Sequence, residues 1–381
     1  MELHYHGKKS ISEILEGTPA YPFDGDLNHG NLLINGNNLL VLQSLLKRYD
    51  FSGKIDLIYI DPPFATNTTF TMGSDRVSTV SLSADDEVAY TDCLRGEEFL
   101  EFIRERLILV RELMSDVASI YLHIDYKIGH YIKIIMDEIF GAENFRNDIT
   151  RIKCNPKNFS RKAYGNIKDM ILFYSKTKNI IWNEPRSTFS EDDKTRLFKK
   201  TDKNGRAYTT IPLHAPGETK NGATASEFKG MKPPKGRHWR TDPRELDALD
   251  AAGLIEWSPS GNPRKMIYAD EADGKKMQDI WEFKDCRYPV YPTEKNLDLL
   301  RTIVAASSNE GSTVLDFFCG SGTTLLAAKE LNRNWIGVDQ SRQAIKVTKE
   351  KLKAADNMFS CNSYSYLEID LRTAEERDMS A

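Results

Sequence analysis

Residues 55–64, IDLIYIDPPF, carry an apolar run into an aspartate, two prolines and an aromatic residue. The Asp61 carboxylate and the Pro62 carbonyl are two hydrogen-bond acceptors at adjacent positions, and consecutive prolines stiffen the exit while removing two N–H groups. Such a pair suits an amino group conjugated to an aromatic ring. Its nitrogen attacks only when the lone pair is withdrawn from the ring, and acceptors on both hydrogens favour a tetrahedral nitrogen and stabilise the positive charge that develops there. Phe64 offers a face on which a flat ring stacks, and Pro63 keeps the acceptors in place so that little rearrangement is needed. An Asp-Pro-Pro after a strand is also an ordinary rigid exit turn, so the motif needs a partner before it carries chemistry.

The partner is VLDFFCGSGTT, residues 314–324. It reads as an apolar strand ending near Asp316 and Phe318, a tight turn at Gly320-x-Gly322, and a helix whose first turn holds Thr323 and Thr324. Glycines let the backbone approach a ligand, and a helix N-terminus offers free N–H groups to an anion. Asp339 ends the following strand, near the interval at which an acid reaches ribose hydroxyls. Together these residues describe a site for a nucleoside-containing ligand. The third glycine of a dinucleotide fingerprint is missing and no Gly-Lys-Ser/Thr is present, which disfavours NAD and ATP.

The elements that must position these residues alternate. A short strand at Leu32–Ile34 precedes a Gly/Asn turn and a helix, and Ile55–Ile60 reads as a central parallel strand with Asp56 its one polar interruption. The spacing of Phe99, Phe102, Leu107, Val110 and Met114 predicts a helix, followed by a strand over Ser119–Asp125 and a helix closed by Gly141. Paired strands are expected at DITRIKC and DMILFYS. The rhythm resumes with a helix over Leu297–Ala306, a strand at 313–318, a helix from Thr323 to Leu331 and a strand at 335–339. The fold class is therefore α/β, a doubly wound Rossmann-like sheet that is discontinuous, with a smaller inserted domain. The expected division is 27–180 and 281–360 for the two parts of the catalytic and cofactor-binding region, and 181–280 for the insert.

The chain of 381 residues has a formal net charge of -4. The charge is uneven: residues 151–240 hold 21 Lys+Arg against 8 Asp+Glu, leaving the remainder acidic. A solvated face or a phosphate-binding surface both account for such a run. Five scattered cysteines without a C-x-x-C pair point to neither a zinc site nor a disulfide framework, so no metal is expected. The N-terminus has no apolar core of signal-peptide length, and no segment approaches the roughly 18 apolar residues of a membrane span. The expectation is a soluble cytoplasmic protein with no membrane partner.

At the DPPF motif and the glycine turn, the sequence resembles the S-adenosylmethionine-dependent amino-methyltransferases that act on DNA. Asp61-Pro62-Pro63-Phe64 precedes the glycine motif, with a recognition segment between them, an order similar to the beta group that includes Type II and Type III modification methyltransferases. The resemblance covers roughly residues 30–355. It implies double-stranded DNA as partner, S-adenosylmethionine as cofactor, methyl transfer to N6 of adenine, a prokaryotic, nucleoid-associated setting, a cognate restriction endonuclease and a homodimer. Asp61, Pro62, Pro63 and Phe64 are then catalytic. Asp316, Phe318, Gly320, Gly322, Thr323 and Asp339 hold the cofactor, with Asn37 at its adenine and Lys295 at its carboxylate. Asn37 could equally be a helix cap, and Lys295 a solvated lysine. Family adenine enzymes carry Asp or Asn at the first place of the motif and cytosine N4 enzymes usually Ser. Cytosine N4 methylation, a protein- or RNA-directed relative and a catalytically silent DNA-binding specificity subunit are the alternatives. The chain departs from the common pattern at Cys319, where Ala is frequent, at Phe64 in place of Tyr, and at Gln340 after Asp339.

The target amino group lies inside a duplex, so the base must be rotated out, at a cost of about a few kcal/mol that stacking and phosphate contacts offset. In the insert, Arg237, His238, Trp239 and Arg240 combine cations with an aromatic ring, as a DNA-facing loop would. Trp239 reads equally as the core residue of a small domain. Asp279 and Trp281 read as structural, and His123 with Asp125 as a satisfied core pair.

Overall fold

The computed structural model describes residues 2–25, 27, 30–62, 96–156, 160, 162–286, 289, 291, 294–356 and 364–371, and the backbone of three short strands at Thr69–Met72, Val77–Ser78 and Glu87–Thr91. Two compact units are present: residues 1–185 with 278–381, and Arg186–Met277.

The larger unit is built on a ten-stranded sheet. Its strands are β1 (Phe23–Asp24), β2 (Leu32–Asn35), β3 (Ile55–Ile60), β4 (Met114–Ile124), β5 (Phe145–Ile152), β6 (Lys168–Ser175), β7 (Ile280–Trp281), β8 (Thr313–Asp316), β9 (Asn334–Asp339) and β10 (Ser365–Ile369). Across the sheet the order is β1-β10-β2-β9-β8-β3-β4-β6-β5-β7. The six strands from β10 to β4 are all parallel, and β6 runs antiparallel to both β4 and β5. Central parallel strands are covered on both faces, which is why β3 and β8 have no exposed side chain.

Helices α1 (Ile11–Gly17), α2 (Asn38–Lys47), α3 (Gly96–Leu113) and α4 (Gly129–Phe140) pack on one another and share one core with Leu32, Ile34, Ile58 and Ile60. Helices α5 (Leu297–Ser307), α6 (Thr323–Glu330) and α7 (Arg342–Ala354) form a second group, whose buried residues Leu299, Leu300 and Ile303 are outside that core. Local chemistry sets the helix starts. Asn37, Asn296 and Ser341 each accept a backbone N–H from the first turn of α2, α5 and α7.

Asp56, the polar interruption of β3, ties neighbouring strands together. Its carboxylate accepts the Ser115 hydroxyl at 2.8 Å and the Thr313 N–H at 3.3 Å, so the starts of β3, β4 and β8 are joined by one side chain. His123 is fully buried and bonded on both ring nitrogens, to Tyr59 Oη at 2.9 Å and to Asp169 Oδ2 at 3.2 Å. Asp125 accepts the Lys127 N–H in the following turn.

The smaller unit has an antiparallel sheet in the order Lys200–Thr201, Ala207–Pro212, Pro263–Tyr268, Ile255–Trp257, a hairpin of His214–Pro216 with Arg237–Trp239, and a helix over Pro243–Ala251 capped by Asp242. Its core is Leu213, Phe228, Trp239 and Leu246.

Candidate active site

The two sequence motifs meet at one sheet edge. Strands β3 and β8 are parallel neighbours with Leu57 opposite Val314 and Ile58 opposite Leu315, so Asp61 and Asp316 emerge side by side at the carboxyl ends. This is the edge at which open α/β sheets bind ligands. Asp61 is mostly buried, and its Oδ2 accepts the Lys295 ammonium at 2.5 Å. Its other oxygen, Oδ1, is buried and has no hydrogen-bond partner among the described residues. A buried acceptor left unmade costs about 1–3 kcal/mol, so this atom is poised for a donor. Pro62 is buried beside it, whereas Pro63 and Phe64 lie outside the described residues.

The turn after β8 is organised from within. The Asp316 carboxylate accepts the Thr324 hydroxyl at 2.5 Å and the Phe318 N–H at 3.0 Å, so both of its oxygens are engaged in the turn. Burial pushes the Asp316 carboxyl up to about 7, and the nearby carboxylates of Asp61 and Asp339 add to the rise. Gly320 and Gly322 have φ of 50° and 73°. At Gly322 a Cβ would come within 2.6 Å of Thr348, which is why no side chain is carried there. The Thr348 hydroxyl donates to the Gly320 carbonyl at 2.9 Å.

Asp339 ends β9 directly opposite Asn35. Its two carboxylate oxygens accept the N–H groups of Gly320 at 2.9 Å and Ser341 at 2.8 Å, which joins the two turns at this edge, and burial raises its carboxyl above the ordinary value. The β2 turn is drawn in as well. Asn35 Nδ2 and the Gly36 N–H both donate to the Asp339 carbonyl. Asn37 is exposed, and its side chain accepts the Leu39 N–H as the cap of α2.

Several further residues complete the edge. Asn38 donates to the Phe317 carbonyl at 2.8 Å and accepts from Arg106 Nε at 2.6 Å, while the Arg106 guanidinium lies 3.5 Å from the Phe102 ring centre. Phe102 in turn packs against Phe318. Ahead of α6, Lys351 reaches Ser321 Oγ, Thr323 Oγ1 and the Glu294 carboxylate at 2.5–3.0 Å. Lys351 and Arg106 were silent in the sequence because their partners are distant in the chain, whereas Asn38 belongs to the Gly/Asn turn expected there.

In the smaller unit the four candidates separate. Arg237 and Arg240 are exposed and His238 is half-buried. Trp239 is fully buried and donates its indole N–H to the Ser226 carbonyl. The expectation that its ring faces DNA is corrected by this packing, since an indole closed into the core has no free face. The basic run is also redistributed: Arg186–Met277 hold 18 Lys+Arg and 14 Asp+Glu, so the larger excess of 151–240 comes in part from the other unit. Many of these cations are paired, as Arg206 is with Asp270 and Glu271. By contrast Arg237, Arg240 and Arg264 bond only to His214, Pro212 and Thr210 among the described residues. They surround His214, whose imidazole is held below its ordinary value by burial and by these three guanidiniums.

Fold and site together define a doubly wound α/β protein whose ligand edge gathers three carboxylates and a glycine turn. The family model for DNA methylase, which spans N6 and N4 amino-methyltransferases, matches residues 55–350. The chain is 41% identical over 363 residues to the Type II methyltransferase M.EcaI of Enterobacter cloacae, covering 92% of this chain and 77% of that protein. It is 27% identical to the Type III restriction-modification enzyme StyLTI Mod subunit of Salmonella typhimurium, covering 86% of this chain and 54% of that one. A solved structure of a DNA modification methylase from Thermus thermophilus, complexed with S-adenosyl-L-methionine, aligns with a TM-score of 0.45 at 14% identity, covering 90% of this chain and 99% of that chain. The chain belongs to the DNA methylase family of N6/N4 amino-methyltransferases. Among the described residues no helix is long and apolar enough to cross a membrane.

Proposed function

We propose that the protein is a site-specific methyltransferase that moves a methyl group from S-adenosylmethionine to N6 of adenine in duplex DNA, with the base extruded from the helix. The observation that carries this reading is the buried, unpartnered Oδ1 of Asp61 at the shared edge of β3 and β8.

The donor set fits this cofactor. Burial raises the Asp316 carboxyl, and the neighbouring carboxylates of Asp61 and Asp339 add to that rise. Asp339 can accept ribose hydroxyls on the lone pairs left by its two N–H bonds, and the Ser321, Thr323 and Lys351 donors suit a carboxylate. In this reading Phe318, Gly320, Gly322 and Asn37 contact the cofactor. When bound, S-adenosylmethionine supplies a methyl group already activated on sulfur.

The chain supplies the rest. Asp61 Oδ1 and the Pro62 carbonyl accept the two amino hydrogens, localise the nitrogen lone pair and stabilise the charge that grows on that atom; the departing proton leaves along the Asp61 hydrogen bond. Phe64 stacks the extruded ring, and Pro63 holds the loop. The unit Arg186–Met277 serves as target-recognition insert, and Arg237, His238 and Arg240, joined by His214 and Arg264, contact the phosphates. Membership of a restriction-modification system, with a cognate endonuclease and a dimeric enzyme working in the cytoplasm, belongs to the same proposal.

Single-molecule sequencing of DNA from cells expressing this chain alone tests it. N6-methyladenine at one short motif is expected; N4-methylcytosine would move the reading to the other branch of the family, and unmodified DNA would overturn it.

A further inference from the structure

We infer that Lys295 is a positioning residue for Asp61, and not a ligand of the cofactor carboxylate; the inference deepens the methyltransferase reading and its catalytic part rests on it. The Lys295 ammonium is on Oδ2 at 2.5 Å, with both side chains largely buried, at 11% exposure for Lys295 and 17% for Asp61. The same carboxylate leaves Oδ1 buried and without a partner. The two oxygens therefore have different duties: one is pinned and the other is presented. Pinning matters because an aspartate side chain has free rotation about two bonds, and an acceptor is effective in a transition state only when it is already aimed. The ammonium also offsets the repulsion from the neighbouring carboxylates of Asp316 and Asp339.

A second observation shows that the pair is framed from both sides. Tyr59, two residues before Asp61 and on the same face of β3, is bonded through His123 to Asp169. Burial holds His123 below its ordinary value, so the ring is neutral, donates from Nε2 to the carboxylate and accepts the Tyr59 hydroxyl at Nδ1. Fully buried Arg151 bonds Asp169 at 3.3 Å and reaches the Phe283 carbonyl and the Asp285 carboxylate, both at 2.6 Å. Residues 283–286 are in turn tied to the Lys295 region: Asn296 donates to the Lys284 carbonyl at 3.1 Å, and the Cys286 thiol to the Lys295 carbonyl at 3.7 Å. The chain of contacts starts on the strand that carries Asp61 and closes on the segment that carries Lys295. A solvated lysine needs no such frame.

The test compares Lys295→Met, Lys295→Arg and Lys295→Met with Asp61→Asn, using the full chain, S-adenosylmethionine and a duplex carrying the target motif in unmethylated form. Calorimetric cofactor affinity of Lys295→Met should remain within about threefold of wild type, while its single-turnover methyl transfer at saturating cofactor falls roughly 100-fold, as for loss of one preorganised electrostatic contact. Lys295→Arg should recover part of that rate. Affinity that collapses while the saturated rate persists would overturn the inference and return Lys295 to the cofactor. Thermal unfolding separates this from the functional reading, because it requires no activity. Lys295→Met leaves a largely buried carboxylate unpaired and should lower Tm, and adding Asp61→Asn should restore most of the loss. Additive losses would refute the pairing even in an active enzyme, whereas full suppression in a protein that transfers no methyl would leave the pairing standing and refute the reaction.

Discussion

Asp316 makes the stability of this protein depend on pH in a direction opposite to that of most carboxylates. Its carboxyl is pushed from 3.8 up to about 7 by burial in the β8 turn. A gap of that size corresponds to about 4 kcal/mol at roughly 1.4 kcal/mol per unit. The folded chain holds the proton between about pH 4 and 7 while the unfolded chain has released it, so the contribution is fully present below pH 4 and is lost as pH rises through about 7. Asp316→Asn keeps the shape of the side chain but cannot titrate. It gives up one of the two contacts, to the Thr324 hydroxyl or the Phe318 N–H, for a pH-independent offset of about 1 kcal/mol. Urea unfolding of both proteins at intervals from pH 4.5 to 8 reads the difference directly. The stability difference should swing toward the variant by about 3–4 kcal/mol across that range and flatten above pH 7.5. Parallel curves would show that Asp316 is ionised throughout and that the desolvation argument is wrong.

Other perturbations separate the parts of the molecule. Gly322→Ala places a methyl within 2.6 Å of Thr348 at a φ of 73°, and should cost about 2 kcal/mol by chemical denaturation while weakening cofactor affinity measured by calorimetry. In the smaller unit, Trp239→Ala should cost about 3–5 kcal/mol in thermal stability with cofactor affinity unchanged, whereas Arg240→Ala or Arg264→Ala should leave stability nearly intact and lower the salt slope of duplex binding by about 1 each.

Much of the larger unit was legible because its central strands and helices carry their own periodicity. The apolar run at 55–60 and the stripe from Phe99 to Met114 each gave an element close to its observed bounds, although Met114 itself opens β4 and is not in the helix. Less visible were elements whose pattern is weak or whose role depends on distant neighbours. The helix Arg342–Ala354 is rich in lysine on its solvent side, and the strand Ser365–Ile369 gains its meaning only by pairing with β2. The strand that carries His123 begins five residues earlier than its apolar run, at Met114, because Met114 pairs with Ile55 across an irregular register. At the site, the residue types of Asp61 and the glycine turn announced their chemistry. For Lys295 the sequence left a cofactor contact and a solvated lysine equally open, because its ion pair with Asp61 joins positions more than two hundred residues apart and one-dimensional spacing carries no trace of that. Trp239 illustrates the reverse: cations on either side suggested a nucleic-acid contact, yet the indole packs with Leu213, Phe228 and Leu246, which strand alternation does not foretell because exposed Arg237 shares its face.

The central claim, that Asp61 presents an acceptor to the nitrogen being methylated, is tested most directly by single-turnover methyl transfer in Asp61→Ala measured alongside cofactor affinity. Transfer should fall by at least about three orders of magnitude with cofactor affinity changed by less than about threefold, since the side chain acts on the target nitrogen and not on the cofactor. A variant that still transfers methyl at a rate near that of the wild type would contradict the account.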